Sequence, residues 1–149
     1  MVTVEKSIMV RVPVDIAYAA WANLQNFPIY APHVVRSVEM LNKGRSRWIV
    51  DLLGYELQFE AELDEDRPNR LISWHSVSNV KHFGSAYFSP VTGGTVVTIR
   101  LMFDTGGLSS EFVDDLDVVW HEFEEIFKDT LHGFKKYVEQ MWWQVPIVI

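Results

Sequence analysis

His121-Glu122-Phe123-Glu124-Glu125 is the stretch of this chain that most invites a catalytic reading, because a metalloprotease helix carries two histidines four residues apart with a glutamate beside the first. Glu125 stands where the second histidine belongs, so the zinc-binding pair is missing. His132 follows His121 by about three helical turns, roughly 16 Å along an axis that rises 1.5 Å per residue, too far for one ion. Both read as surface histidines, and no metal is expected. The chain has no cysteine, which removes disulfides, thiolate ligands and a cysteine nucleophile. Neither a G-x-S-x-G nucleophile turn nor a phosphate-cradling glycine loop occurs, and Gly93-Gly94 and Gly106-Gly107 read as turns. No cofactor is expected.

The remaining chemistry sits among aromatic residues: 6 Trp, 5 Tyr and 9 Phe in 149 positions. In the segment 82–89, His82, Gly84, Ala86 and Phe88 alternate onto one face. Small Gly84 and Ala86 leave space there, and His82 is then either a polar group inside an apolar cavity or a satisfied rim residue. In 69–77, Ile72 and Trp74 share a face with Arg70 and Ser76, while His75 shares the other with Leu71 and Ser73. Trp48 lies on a face with Val50 and Leu52, which suits core packing first and ligand contact second.

These side chains need elements to position them. Residues 3–12 alternate as a half-buried strand that Pro13 ends. Ile16, Ala17, Ala20, Trp21 and Leu24 then recur at helical spacing, and a second, very short helix fits between Pro28 and Pro32. From Val34 the period becomes two, with strands predicted over 34–42, 45–53, 55–65, 69–77, 82–89 and 94–104, separated by Asn-Lys-Gly, Gly, Pro-Asn and Gly-Gly turns. Tyr55, Leu57, Phe59, Ala61 and Leu63 fall on one face of the third of these and five acids or amides on the other, as in an antiparallel sheet with one wet side. The period then returns to helical. Leu116, Trp120, Phe123, Phe127, Leu131, Phe134, Val138 and Met141 mark an apolar stripe, so a helix is predicted around 112–140 with Phe127 and Leu131 turned inward.

The expected fold is α+β: seven antiparallel strands wrapped around one long C-terminal helix, with two short helices after the first strand. Residues 1–141 form a single domain, and 142–149, WWQVPIVI, an apolar tail packed on the domain or on a partner. A curled sheet gripping one helix is hard to fill with side chains, so a hydrophobic pocket is expected between them. Trp48, Phe59, Trp74, Phe88, Trp120 and Phe127 are its candidate ligand contacts. No run approaches the ~20 apolar residues of a membrane span. The net charge of −7 argues against nucleic acid. Most of that charge lies between Glu111 and Glu139, where nine acids face three bases, as on a solvated helix face. Absence of cysteine suits a reducing, cytoplasmic compartment.

Order and local phrases together resemble the START-like (SRPBCC) superfamily of helix-grip folds, and within it the polyketide cyclase/dehydrase and lipid-transport family. The phrases are SIMVRVPVDIAYAAW from Ser7, NFPIYAPHVVRSVEML from Asn26, RPNRLISWHS from Arg67, the Gly-Gly hairpin before TVVTIRLMFD, and FKKYVE from Phe134. The resemblance implies that Trp74 points inward and that Tyr30 and His33 border the cavity mouth, which with His82 makes three candidates for acid–base work. It also implies that related cyclases steer a poly-ketone chain with an inward arginine. Here the corresponding strand reads FEAELDEDRP, with acids in that place and Arg67 at a turn. Two functions follow from the resemblance: a binder of a hydrophobic lipid, isoprenoid quinone or polyketide-like molecule, or a cyclase/dehydratase using the same cavity. A third, a protein-interaction module, rests on the acidic helix and apolar tail, which also leave a homodimer open.

Overall fold

The computed structural model describes residues 2–52, 54–78, 81–104 and 116–143. Strand β1 (Val2–Val10) is followed by helix α1 (Val14–Ala22), a 3-10 turn (Leu24–Asn26) and helix α2 (Phe27–Tyr30). Six strands follow in succession: β2 (Val35–Met40), β3 (Arg45–Leu52), β4 (Tyr55–Arg67), β5 (Leu71–Ser76), β6 (His82–Val91) and β7 (Gly94–Phe103). Helix α3 (Leu116–Trp143) closes the chain.

Local chemistry explains the breaks. Pro13 caps α1 with extended backbone, and Asp15 places a negative charge in the first turn, where the helix dipole favours it. Pro28 lies in the first turn of α2, where its missing N–H costs nothing. The β4–β5 turn takes its left-handed residue from Asn69 (φ 65°), a type that tolerates that conformation.

All seven strands pair antiparallel in one sheet ordered β1-β7-β6-β5-β4-β3-β2. The meander therefore runs outward from β7 to β2, and β1 adds to the far side of β7. Its concave face is apolar, as period two demanded: Val50 and Leu52 of β3, Ala61 of β4, Ile72 of β5, Ala86 and Phe88 of β6, and Val97 and Ile99 of β7 are all buried. Asp64 interrupts β4. Leu63 pairs with Trp74 and Glu65 with the next residue, Ser73, so Asp64 is an extra residue that shifts the register.

Phe123, Leu131, Phe134 and Val138 are the buried stripe of α3, with Phe127 half-buried beside them. His121 and His132 are exposed. Gly133 sets how deeply the helix seats, because a Cβ there would lie 2.0 Å from the Tyr30 carbonyl oxygen. Only glycine lets α3 lie directly on α2. The helix runs to Trp143, so the first two residues assigned to the tail belong to it instead. Residues 112–115, 144–149 and the Gly106-Gly107 turn lie outside the described ones.

Candidate functional site

Two parts of the concave face are treated differently. At one end α1, α2 and the C-terminal end of α3 pack against it. Trp21 and Tyr30 each meet the Phe134 ring edge-on at 5.2 Å, and Tyr18 meets Phe88 at 5.6 Å. Elsewhere Phe123, Ile126, Phe127 and Leu131 of α3 face the strands across open space, a cavity of about 280 Å³. That is close to the lower end of small-molecule sites, about 300 Å³, and its wall is mainly apolar.

The wall is built from rings that brace one another. Trp21 touches Phe27 at 4.8 Å, Phe27 touches Trp48 at 5.2 Å, and Trp48 stacks nearly parallel on Phe59 at 6.1 Å. Phe59 then meets His82 edge-on at 5.0 Å, His82 meets Phe103 at 5.8 Å, and Phe103 stacks on Phe123 at 4.8 Å. All seven line the cavity. A chain of contacting rings thus runs from α1 across the sheet to α3, and each ring restricts its neighbour. Trp74 and Phe127 line the same space.

Gly84 does not leave the room its size suggested. A Cβ on it would lie 2.2 Å from the Trp74 indole, so that ring already covers the glycine. Ala86 is fully buried in the hydrophobic core and does not line the cavity.

Polar groups are few. His82 is buried, and its backbone N–H donates to the Ser76 hydroxyl at 2.9 Å. Ser46 is buried beside Trp48, whose Nε1–H donates to the Ser46 Oγ at 2.8 Å. At the rim, Glu62 pairs with Arg45 at 3.0 Å, and Asp66 accepts from the Tyr18 hydroxyl. Burial pushes the Tyr18 phenol up to about 12, reinforced by the hydrogen bond to Asp66 and that residue's charge, so it stays protonated at neutral pH. Asp66 reaches the cavity because of the bulge: without the extra Asp64 it would point to the other face.

The sequence candidates therefore separate. Trp48, Phe59, Trp74, Phe127 and His82 come together around one cavity. Phe88 does not; it packs against Tyr18 under α1. Tyr30 is buried outside the lining, its hydroxyl donating to the Ala20 carbonyl at 3.0 Å, and burial pushes its pKa up. His33 is exposed and also outside the lining. Neither residue borders the cavity as expected, because α2 turns Tyr30 back toward α1 and α3. The side chain of Trp120 lies outside the described ones. Sequence reasoning did not single out Trp21, Phe27, Phe103, Phe123, Ser46 or Asp66 as lining residues. Ser46 had a signal, a hydroxyl two residues before Trp48 on an otherwise apolar face. Among the described residues no three histidines, aspartates or glutamates converge as metal ligands would. Nor is any described helix long and apolar enough to cross a membrane.

Comparisons with known proteins agree with this architecture. Residues 1–139 match the family described as polyketide cyclase / dehydrase and lipid transport. The chain is 28% identical over 142 residues to an uncharacterised 17.2 kDa protein of Streptomyces lincolnensis, covering 94% of this chain and 91% of that one. A START superfamily protein from Mycobacterium smegmatis superposes with a TM-score of 0.73 at 14% identity, covering 93% of this chain and 98% of that one. The Zhui aromatase/cyclase from Streptomyces sp. R1128 gives 0.75 at 17% identity, covering 93% and 94%. These two structures carry the fold alone, whereas the match along residues 1–139 carries the family. With a helix gripped by a seven-stranded sheet and a ring-lined cavity between them, the chain belongs to the polyketide cyclase / dehydrase and lipid-transport family.

Proposed function

We propose that this protein binds a hydrophobic small molecule, of lipid, isoprenoid-quinone or polyketide-like character, in the cavity between sheet and α3, as a cytoplasmic carrier or binder. One observation carries the reading: about 280 Å³ of mainly apolar space is braced by a chain of contacting aromatic rings, with only a handful of polar atoms to orient a guest. Burying apolar surface there gains roughly 25 cal/mol per Å², so 300 Å² of guest is worth on the order of 7 kcal/mol before the cost of immobilising it. No charge pair is needed.

A cyclase/dehydratase is the second reading, and buried His82 on the cavity wall is what favours it. Proton transfer by such a group supplies ~10²–10⁴-fold where a base reaches an acidic carbon. The steering arginine of related cyclases has no counterpart among the described lining residues. Arg67 is instead exposed and paired with Glu65 at 3.0 Å. That favours binding over catalysis.

Native mass spectrometry of the protein purified from cells tests the proposal. A retained apolar molecule of a few hundred daltons is expected; an unliganded mass together with failure to take up added apolar probes would contradict it.

A further inference from the structure

Among the described residues that line the cavity, the Ser46 hydroxyl accepts a hydrogen bond but its own O–H is uncommitted, whereas the Thr130 hydroxyl donates to the Ile126 carbonyl. Ser46 is 3% exposed, lines the cavity, and lies on β3 opposite Ala61 of β4 and Met40 of β2. A serine hydroxyl carries one donor and two acceptor positions. Trp48 Nε1–H occupies one acceptor position at 2.8 Å. The serine O–H itself donates to no protein group among the described residues.

Trp48 is not free to turn away and release the serine. Its indole is stacked on Phe59 with 4° between the planes and is held edge-on by Phe27. Its N–H is therefore fixed on the Ser46 oxygen. Accepting that bond polarises the serine and makes its own O–H a better donor. Buried donors in native proteins have partners, and the open direction left to this one is the cavity.

The charges at the rim narrow the guest further. Glu62 and Asp66 both border the cavity, and Lys43, its one lining lysine, is exposed. With Glu62 paired to Arg45, the rim offers an anionic head group one exposed lysine against the Asp66 carboxylate, and so no net positive charge to hold it. Resting on the reading of the cavity as a binding site, we infer that Ser46 is a specificity-determining donor, which selects uncharged apolar molecules bearing an acceptor oxygen, such as a ketone carbonyl, over hydrocarbons of the same shape.

A matched probe pair tests this: 2-acetylnaphthalene and 2-isopropenylnaphthalene, which differ in C=O against C=CH₂. Their affinity ratio is measured on the wild-type chain, on Ser46→Ala and on Ser46→Thr. Ser46→Ala should shift the ratio against the ketone by about ten-fold, the order of one neutral hydrogen bond, and Ser46→Thr should restore it. The infrared carbonyl stretch of the bound ketone should fall below its value in a hydrocarbon solvent with the wild-type chain, and return toward it with Ser46→Ala. If both probes bind and the ratio is the same in all three proteins, the donor role is overturned while the cavity reading stands. If neither probe binds the wild-type chain, the cavity reading is overturned and the donor role with it. An unshifted carbonyl stretch on the wild-type chain overturns the donor role even if Ser46→Ala fails to fold.

Discussion

Replacing Gly84 by alanine tests whether Trp74 forms part of the cavity wall in the way described. The added Cβ would sit 2.2 Å from the indole, where ordinary contact begins near 3.4 Å, so the ring must retreat by more than an ångström. Strand β6 cannot give way, because Gly84 is paired on both sides, to Trp74 and to Leu101. The retreat is therefore toward the cavity. An aromatic face of roughly 50 Å² moved about 1 Å sweeps on the order of 50 Å³. That is near a fifth of the 280 Å³ present. The fold should survive, at an overpacking cost of ~1–3 kcal/mol. Removing about 50 Å² of contact with a guest costs ~1 kcal/mol, close to ten-fold in affinity. Titration with the uncharged fluorophore N-phenyl-1-naphthylamine, alongside urea unfolding, reads both quantities. Unchanged affinity together with unchanged tryptophan emission would show that Trp74 does not rest on Gly84, and would refute the reasoning.

Leu131→Ala should cost ~2–5 kcal/mol in urea unfolding, since Leu131 is 3% exposed on the inner stripe of α3; a loss under 1 kcal/mol would contradict that placement. Ala86→Trp should unfold the domain rather than merely block binding, because Ala86 is 0% exposed within the hydrophobic core and outside the cavity lining; circular dichroism showing a native, equally stable variant would be inconsistent with it. Burial pushes the Glu139 carboxyl up, but hydrogen bonds from Lys135 Nζ at 2.5 Å and the Arg11 backbone N–H at 3.0 Å, with the charges of both residues, outweigh it and hold its pKa below the usual value. Its stabilising contribution is then complete above the unfolded pKa and is lost as pH falls through the folded one. Glu139→Gln should accordingly cost about 1 kcal/mol at pH 7 and progressively less below about pH 4, as measured by urea unfolding across that range. An equal difference at every pH would argue against the clamp.

Strand and helix placement were legible because burial imposes a period. Leu57, Phe59, Ala61 and Leu63 do face inward together, and Phe123, Leu131, Phe134 and Val138 do form one stripe. What the period does not carry is where a covering helix lands. Phe88 and Ala86 share a face with His82 and Gly84, yet Tyr18 of α1 lies on Phe88, Ala86 is packed in the core, and His82 stays beside the cavity. Nor does alternation announce a bulge. One extra residue at Asp64 turns Asp66 inward, against every parity count made from Tyr55. Gly84 shows a third limit: a small residue on an inner face reads as empty space, whereas here a neighbouring strand's indole lies on it. Tyr30, a polar aromatic in a loop-like phrase, read as a mouth residue, but its phenol is spent on the Ala20 carbonyl inside the core.

The central claim is that the space between sheet and α3 holds one apolar guest. Ala61 is the residue best placed to close that space, being small, 5% exposed and on the cavity wall at the middle of β4. Titration of N-phenyl-1-naphthylamine into the wild-type chain and into Ala61→Trp, both shown to be folded by circular dichroism, is the direct measurement. A saturating one-to-one rise in emission with the wild-type chain, lost in Ala61→Trp, is the predicted result. Equal binding by the two folded proteins, or none by the wild-type chain, would contradict it.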